Sequence, residues 1–180
     1  KPDPLNQLYA TRVSAGIGTY FTTYLEAWHT AKRSDKTDYG VHFKHLAAGS
    51  GPSSVNKSGS GTNRLEAYTR YFNEKYIITG DLMYNRERFN FYGYRFNGQE
   101  REISDDSIRQ VFNNVRFRAS ISNNTSKNKF QYQGGVEFNN LTTSFDANES
   151  EFIIKGEGSY PINKESFISF GTENSIIQYK

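Results

Sequence analysis

Hydrophobic and polar positions alternate along this chain with a period of two, and each of several short segments keeps its phase. In Val115-Arg116-Phe117-Arg118-Ala119-Ser120-Ile121-Ser122 one face collects Val, Phe, Ala and Ile, and the other collects Arg, Arg, Ser and Ser. Phe130, Tyr132, Gly134, Val136 and Phe138 alternate in the same way with Lys129, Gln131, Gln133, Gly135 and Glu137. Successive side chains of a strand point to opposite faces, so each segment predicts a strand with one apolar and one polar face. The same rule predicts about nine strands, near residues 8–18, 24–32, 39–46, 64–71, 77–86, 114–122, 129–138, 151–160 and 166–173. The strand after Tyr76 is expected to run on toward Phe91, and residues 105–112 are the sole helix candidate.

The connections carry a second pattern. Residues 34–38, 73–75, 123–128 and 161–164 make short links, whereas 48–62, 89–107 and 139–150 make long ones, and the two kinds alternate apart from the brief 19–23 link. Outer-membrane barrels join strands by short periplasmic turns and longer extracellular loops in strict alternation, whereas a soluble sandwich follows no such rule. Tyr20, Tyr24, Tyr39, Tyr71, Phe72, Tyr76, Tyr84, Tyr92, Tyr94 and Tyr160 fall near strand ends, where an apolar ring with a wet hydroxyl suits a membrane interface. The expected fold is therefore all-β: an antiparallel transmembrane β-barrel, a meander of about nine strands forming a partial barrel. Residues 1–180 are read as a single barrel region with no plug domain. Val115, Phe117, Ile121, Phe130, Tyr132, Val136 and Phe138 are expected to face lipid.

Composition narrows the choice. Hydrophobic residues make up only 35% of the 180, yet aromatics reach 16% and mean hydropathy is -0.78. That balance suits strands with an aromatic-rich apolar face and a polar opposite face. Helical membrane spans need about 20 consecutive apolar residues, and the sequence has no such run. Without cysteine, neither a disulfide framework nor a thiolate metal site is available. The net charge of +3 is spread among apolar residues and does not call for nucleic acid. A start at Lys1-Pro2-Asp3-Pro4 and a strand-like Ile176–Lys180 ending suggest a mature chain or a fragment.

Candidate chemistry is sparse. His42 and His45 face opposite sides of a strand, so they do not share a metal. Gly49-Ser50-Gly51 and Gly59-Ser60-Gly61 lie in Gly/Ser-rich sequence and read as loop. The chain is accordingly expected not to be an enzyme, with no catalytic residue, cofactor or metal assigned. With 73–75 as a tight turn, a face-preserving register places Arg70 opposite Ile77, Tyr68 opposite Thr79 and Glu66 opposite Asp81. Directly opposed like charges are unfavourable, so Arg64, Lys44 and His42 are expected to compensate them. Lys44, Arg64, Glu66, Arg70, Asp81, Arg116, Arg118 and Glu137 are read as a luminal charge network.

Gly16-Ile17-Gly18-Thr19-Tyr20, Tyr24-Leu25-Glu26-Ala27 and Tyr39-Gly40-Val41-His42-Phe43-Lys44-His45-Leu46 resemble the barrel region of Bacteroidota TonB-dependent-receptor-like outer-membrane proteins. Ile78-Thr79-Gly80-Asp81-Leu82-Met83-Tyr84-Asn85-Arg86 and Phe91-Tyr92-Gly93-Tyr94 do so too. The resemblance implies a bacterial outer-membrane barrel for solute passage, or a scaffold subunit of an outer-membrane complex. It implies outer-membrane lipid, lipopolysaccharide and other complex subunits as partners. The competing expectation is a secreted soluble β-sandwich or barrel that binds glycans through aromatic residues.

Overall fold

The computed structural model describes residues 9–31, 34–49, 58–91, 104–123, 130–163 and 166–180. Nine strands follow one another: β1 (Thr11–Gly18), β2 (Thr22–Thr30), β3 (Thr37–Ala48), β4 (Ser60–Phe72), β5 (Tyr76–Asn90), β6 (Arg109–Asn123), β7 (Gln131–Thr143), β8 (Asn148–Pro161) and β9 (Phe167–Tyr179). Each pairs antiparallel with its neighbours in one sheet of order β1-β2-β3-β4-β5-β6-β7-β8-β9. A 3-10 turn (Thr19–Phe21) joins β1 to β2, and the single helical turn α1 (Asp105–Ile108) leads into β6. The expected helix at 105–112 is thus cut short, because Arg109 already pairs with Asn90 in the ladder.

Every ladder keeps one register from end to end, so each strand keeps one parity of residue per face. One row runs His29–Val41–Ala67–Leu82–Phe117–Phe138–Phe152–Ile176. The neighbouring row on the opposite face runs Thr30–Gly40–Tyr68–Asp81–Arg118–Glu137–Ile153–Ser175. Val115, Phe117, Ile121, Tyr132, Val136 and Phe138 therefore share the apolar face. Phe130 precedes β7 and joins them, its ring 6.1 Å from Tyr132 and 6.2 Å from Phe170.

No second layer covers either face among the described residues. Ile108 and Ile153 are the only buried hydrophobic side chains there, while Phe117 is 46% exposed and Phe152 40%. A sandwich buries the inner faces of two sheets against each other, so the soluble-sandwich expectation is corrected. β1 pairs only with β2 and β9 only with β8, which leaves one edge of each unpaired among the described residues.

Two loop expectations change. The 139–150 link is not long: β7 runs to Thr143 and β8 starts at Asn148, with Thr143 N–H donating to Ala147 O at 2.9 Å across the turn. The β4–β5 hairpin turns through Glu74 and Lys75 alone. Asn73 N–H donates to Tyr76 O at 2.9 Å, and the Asn73 side-chain oxygen accepts from Lys75 N–H at 3.2 Å. Such an Asx contact favours a tight turn. Tyr92, Tyr94, Lys129 and residues 50–57 of the Gly/Ser-rich stretch lie outside the described residues.

Candidate functional site

The tight β4–β5 turn sets the register that builds the site. It places Arg70 opposite Thr79, Tyr68 opposite Asp81 and Glu66 opposite Met83. The expected Glu66–Asp81 opposition does not occur, and the like-charge clash is avoided. Asp81 instead lies across from Arg118 on β6.

At the middle of the polar face, His42 is held at both ring nitrogens. Nε2 lies 3.0 Å from Glu26 Oε1 on β2, and Nδ1 lies 3.0 Å from Glu66 Oε2 on β4. Both carboxylates are secured from outside. Tyr24 hydroxyl donates to Glu26 Oε2 at 2.5 Å, and Arg64 Nη2 donates to Glu66 Oε1 at 2.6 Å. Each ring nitrogen of His42 thus faces a carboxylate oxygen, and ionised carboxylates only accept hydrogen bonds. The indole of Trp28 covers the ring, and His42 is 8% exposed.

Around this clamp lies a cavity of about 220 Å³ lined by Trp28, His42, Glu66, Tyr68, Asp81, Met83, Arg116 and Arg118. Tyr68 leans over Gly40, where a Cβ would sit 2.5 Å from the ring; only glycine leaves that space. The Tyr68 hydroxyl reaches Asp38 Oδ1 at 3.4 Å. The cavity therefore combines aromatic faces with charges of both signs, a lining suited to a polar solute with an apolar surface.

Lys44, Arg64, Glu66, Arg70, Asp81, Arg116, Arg118 and Glu137 all fall on the polar face, but they do not form one network. Arg64 and Glu66 belong to the His42 clamp. Arg70 lies over the Tyr68 ring at 5.8 Å, Arg116 contacts Met83 Sδ at 3.6 Å, and Glu137 accepts from Asn139 at 3.1 Å. Asp81 and Arg118 face each other without an ion pair among the described residues. The sequence reading missed the central role of His42 and the parts played by Glu26, Tyr24 and Trp28. Phase alone had placed Glu26 and His42 on one face. The β2–β3 register, which brings them to adjacent rows, was the missing information. His45 faces the other side, hydrogen-bonded to Asn63 at 2.7 Å and Thr23 at 3.0 Å.

No family model matches the chain, and no curated protein matches it. The receptor-like resemblance therefore finds no support there. Among solved structures the chain is similar to OmpTdeltaL8, a loop L8 deletion mutant of OmpT, an outer membrane protein of Vibrio cholerae. Identity is 11% and the TM-score 0.51, over 97% of this chain and 61% of that one. The chain thus spans less than two thirds of that barrel. The expectation that the chain is not an enzyme is corrected here: likeness to OmpT at this identity speaks to fold alone and leaves enzymatic status open. The chain has the fold of an outer-membrane β-barrel, present as an open arc of nine antiparallel strands.

Proposed function

We propose that this chain is an arc of an integral barrel in the bacterial outer membrane, and that its polar face lines a passage for small polar solutes. The observation that carries the reading is the split of the sheet. Lys44, Arg64, Glu66, Arg70, Asp81, Arg116, Arg118 and Glu137 occupy one face, and Val115, Phe117, Val136, Phe138 and Phe152 occupy the other. An exposed apolar face of this breadth is costly in water and stable against lipid, and the charged face then meets a water-filled lumen. Trp28, Tyr68 and the charges beside them supply a cavity where a solute pauses on its way through.

The test uses the full-length natural protein in liposomes, with swelling followed in isosmotic sugars of increasing size. Uptake that falls off with solute size supports passage. Membrane-inserted protein that admits no solute overturns it. The edges of β1 and β9, unpaired among the described residues, favour a second reading, a scaffold whose edges are covered by another chain. Stable co-purification of a second outer-membrane protein, with no flux, would select it.

A further inference from the structure

Among the described residues, no strand places a carboxylate on the apolar face. Each Asp and Glu in the nine strands, from Glu26 in β2 to Glu173 in β9, falls on the polar face. Three cations do sit on the apolar face, and all three lie at one end of the sheet: Arg86 and Arg88 on β5 and Arg109 on β6. That end bears the long 49–59 and 91–108 connections. Arg109 is paired with Asp106 at 3.2 Å. Arg86 and Arg88 have no hydrogen bond or ion pair among the described residues. They are flanked across the ladder by uncharged residues, with Asn63 and Asn113 on either side of Arg86 and Gly61 and Val111 on either side of Arg88.

Their height is informative. The apolar stretch of β5 centres on Gly80, between Ile78 and Leu82. At a strand rise of about 3.3 Å and a tilt of about 40°, Arg86 stands about 15 Å and Arg88 about 20 Å from Gly80 along the membrane normal. A lipid-facing band is about 25 Å tall, so both guanidinium groups reach past its edge into the headgroup layer. Long loops mark the extracellular side, where the outer leaflet lies. Guanidinium forks bind phosphate oxygens in pairs, and among the described residues Asp106, the carboxylate just before β6, is taken by Arg109.

We propose that Arg86 and Arg88 form a binding site for the phosphate groups of a phosphorylated outer-leaflet glycolipid, a lipopolysaccharide. The proposal rests on the barrel reading above, since only that reading puts this face against lipid. It also explains the one-sided charge: a carboxylate on this face would repel the same phosphates.

The test places the full-length protein in lipid nanodiscs with chelator present, so that divalent cations do not bridge phosphates. The discs contain bisphosphorylated lipid A, its dephosphorylated form, or an anionic phospholipid. Bound glycolipid is then counted by native mass spectrometry. Wild type should retain the bisphosphorylated form at least tenfold more than the dephosphorylated one, and the preference should weaken in high salt. Arg86→Gln with Arg88→Gln should abolish the preference, and Lys155→Gln, on the polar face, should leave it intact. Equal retention of both glycolipids, an equal hold on the phospholipid, or an unchanged preference in the double variant would overturn the inference. Failure of the protein to enter the discs at all would instead count against the barrel reading.

Discussion

Trp28 stacks flat on His42, their ring centroids 3.5 Å apart and their planes 8° from parallel. The two residues are directly opposed on β2 and β3. The indole closes the side from which water would reach the imidazole, so the hydrogen bonds of Glu26 and Glu66 to that ring have no ready substitute. His42→Leu should lower stability by about 2 kcal/mol, because it leaves two carboxylates facing a site without a donor. Adding Glu26→Gln to that variant should restore part of the loss by removing one of the charges. Urea unfolding of the folded protein in detergent micelles measures both. A His42→Leu variant as stable as wild type would show that the clamp contributes nothing.

The two faces differ in what they tolerate. Phe117 and Arg118 are neighbours on β6 that point to opposite sides. Phe117→Arg should impair membrane assembly by about 2–4 kcal/mol, the cost of Arg near the middle of a lipid-facing band. Arg118→Phe should assemble nearly as well as wild type. Comparable assembly yields for the two variants would contradict the assignment of faces.

Register can be read by crosslinking, and the absence of native cysteine leaves the background clean. Glu66→Cys with Met83→Cys should form a disulfide under mild oxidation, since directly opposed residues bring their Cβ atoms within about 5.5 Å. Glu66→Cys with Asp81→Cys should remain largely reduced. A reversal of this order would restore the register with Glu66 opposite Asp81 and Arg70 opposite Ile77.

The β1–β2 link stores backbone strain. Tyr20 and Phe21 both adopt left-handed φ values, 58° and 54°, and Phe21 is 85% exposed. A left-handed non-glycine residue costs roughly 1–2 kcal/mol. Phe21→Gly should therefore raise stability by about 1 kcal/mol, because little packing is lost. A drop in the urea midpoint would mean that the Phe21 ring has a role its exposure does not reveal.

The strands and their faces were legible because the ladders contain no irregularity. With one parity per strand, simple alternation through residues such as Val115, Phe117 and Ala119 assigned each side chain to a side. Strand ends were less legible. Asn113 and Asn114 on β6, and Asn139 and Asn140 on β7, are polar on both faces, so the period-two signal fades while the ladder continues. In Phe152-Ile153-Ile154 all three residues are apolar, and Ile153 is buried on the polar face opposite Glu137. The site was legible only in part. His42 and Glu66 were suspected as neighbours, but pairing across strands depends on turn geometry, and a shift of two residues in one hairpin moved Glu66 from Asp81 to Met83.

The open edges carry an arithmetic consequence. In a meander of nine antiparallel strands the first and last point in the same direction. β1 and β9 cannot seal to each other in the antiparallel manner of the other eight seams. Backbone groups left unpaired in hydrocarbon cost several kcal/mol each, so both edges need partners there. Whatever completes the wall, from this protein or another, must contribute an odd number of strands if every seam is to be antiparallel. The total is then even, as in single-chain bacterial barrels.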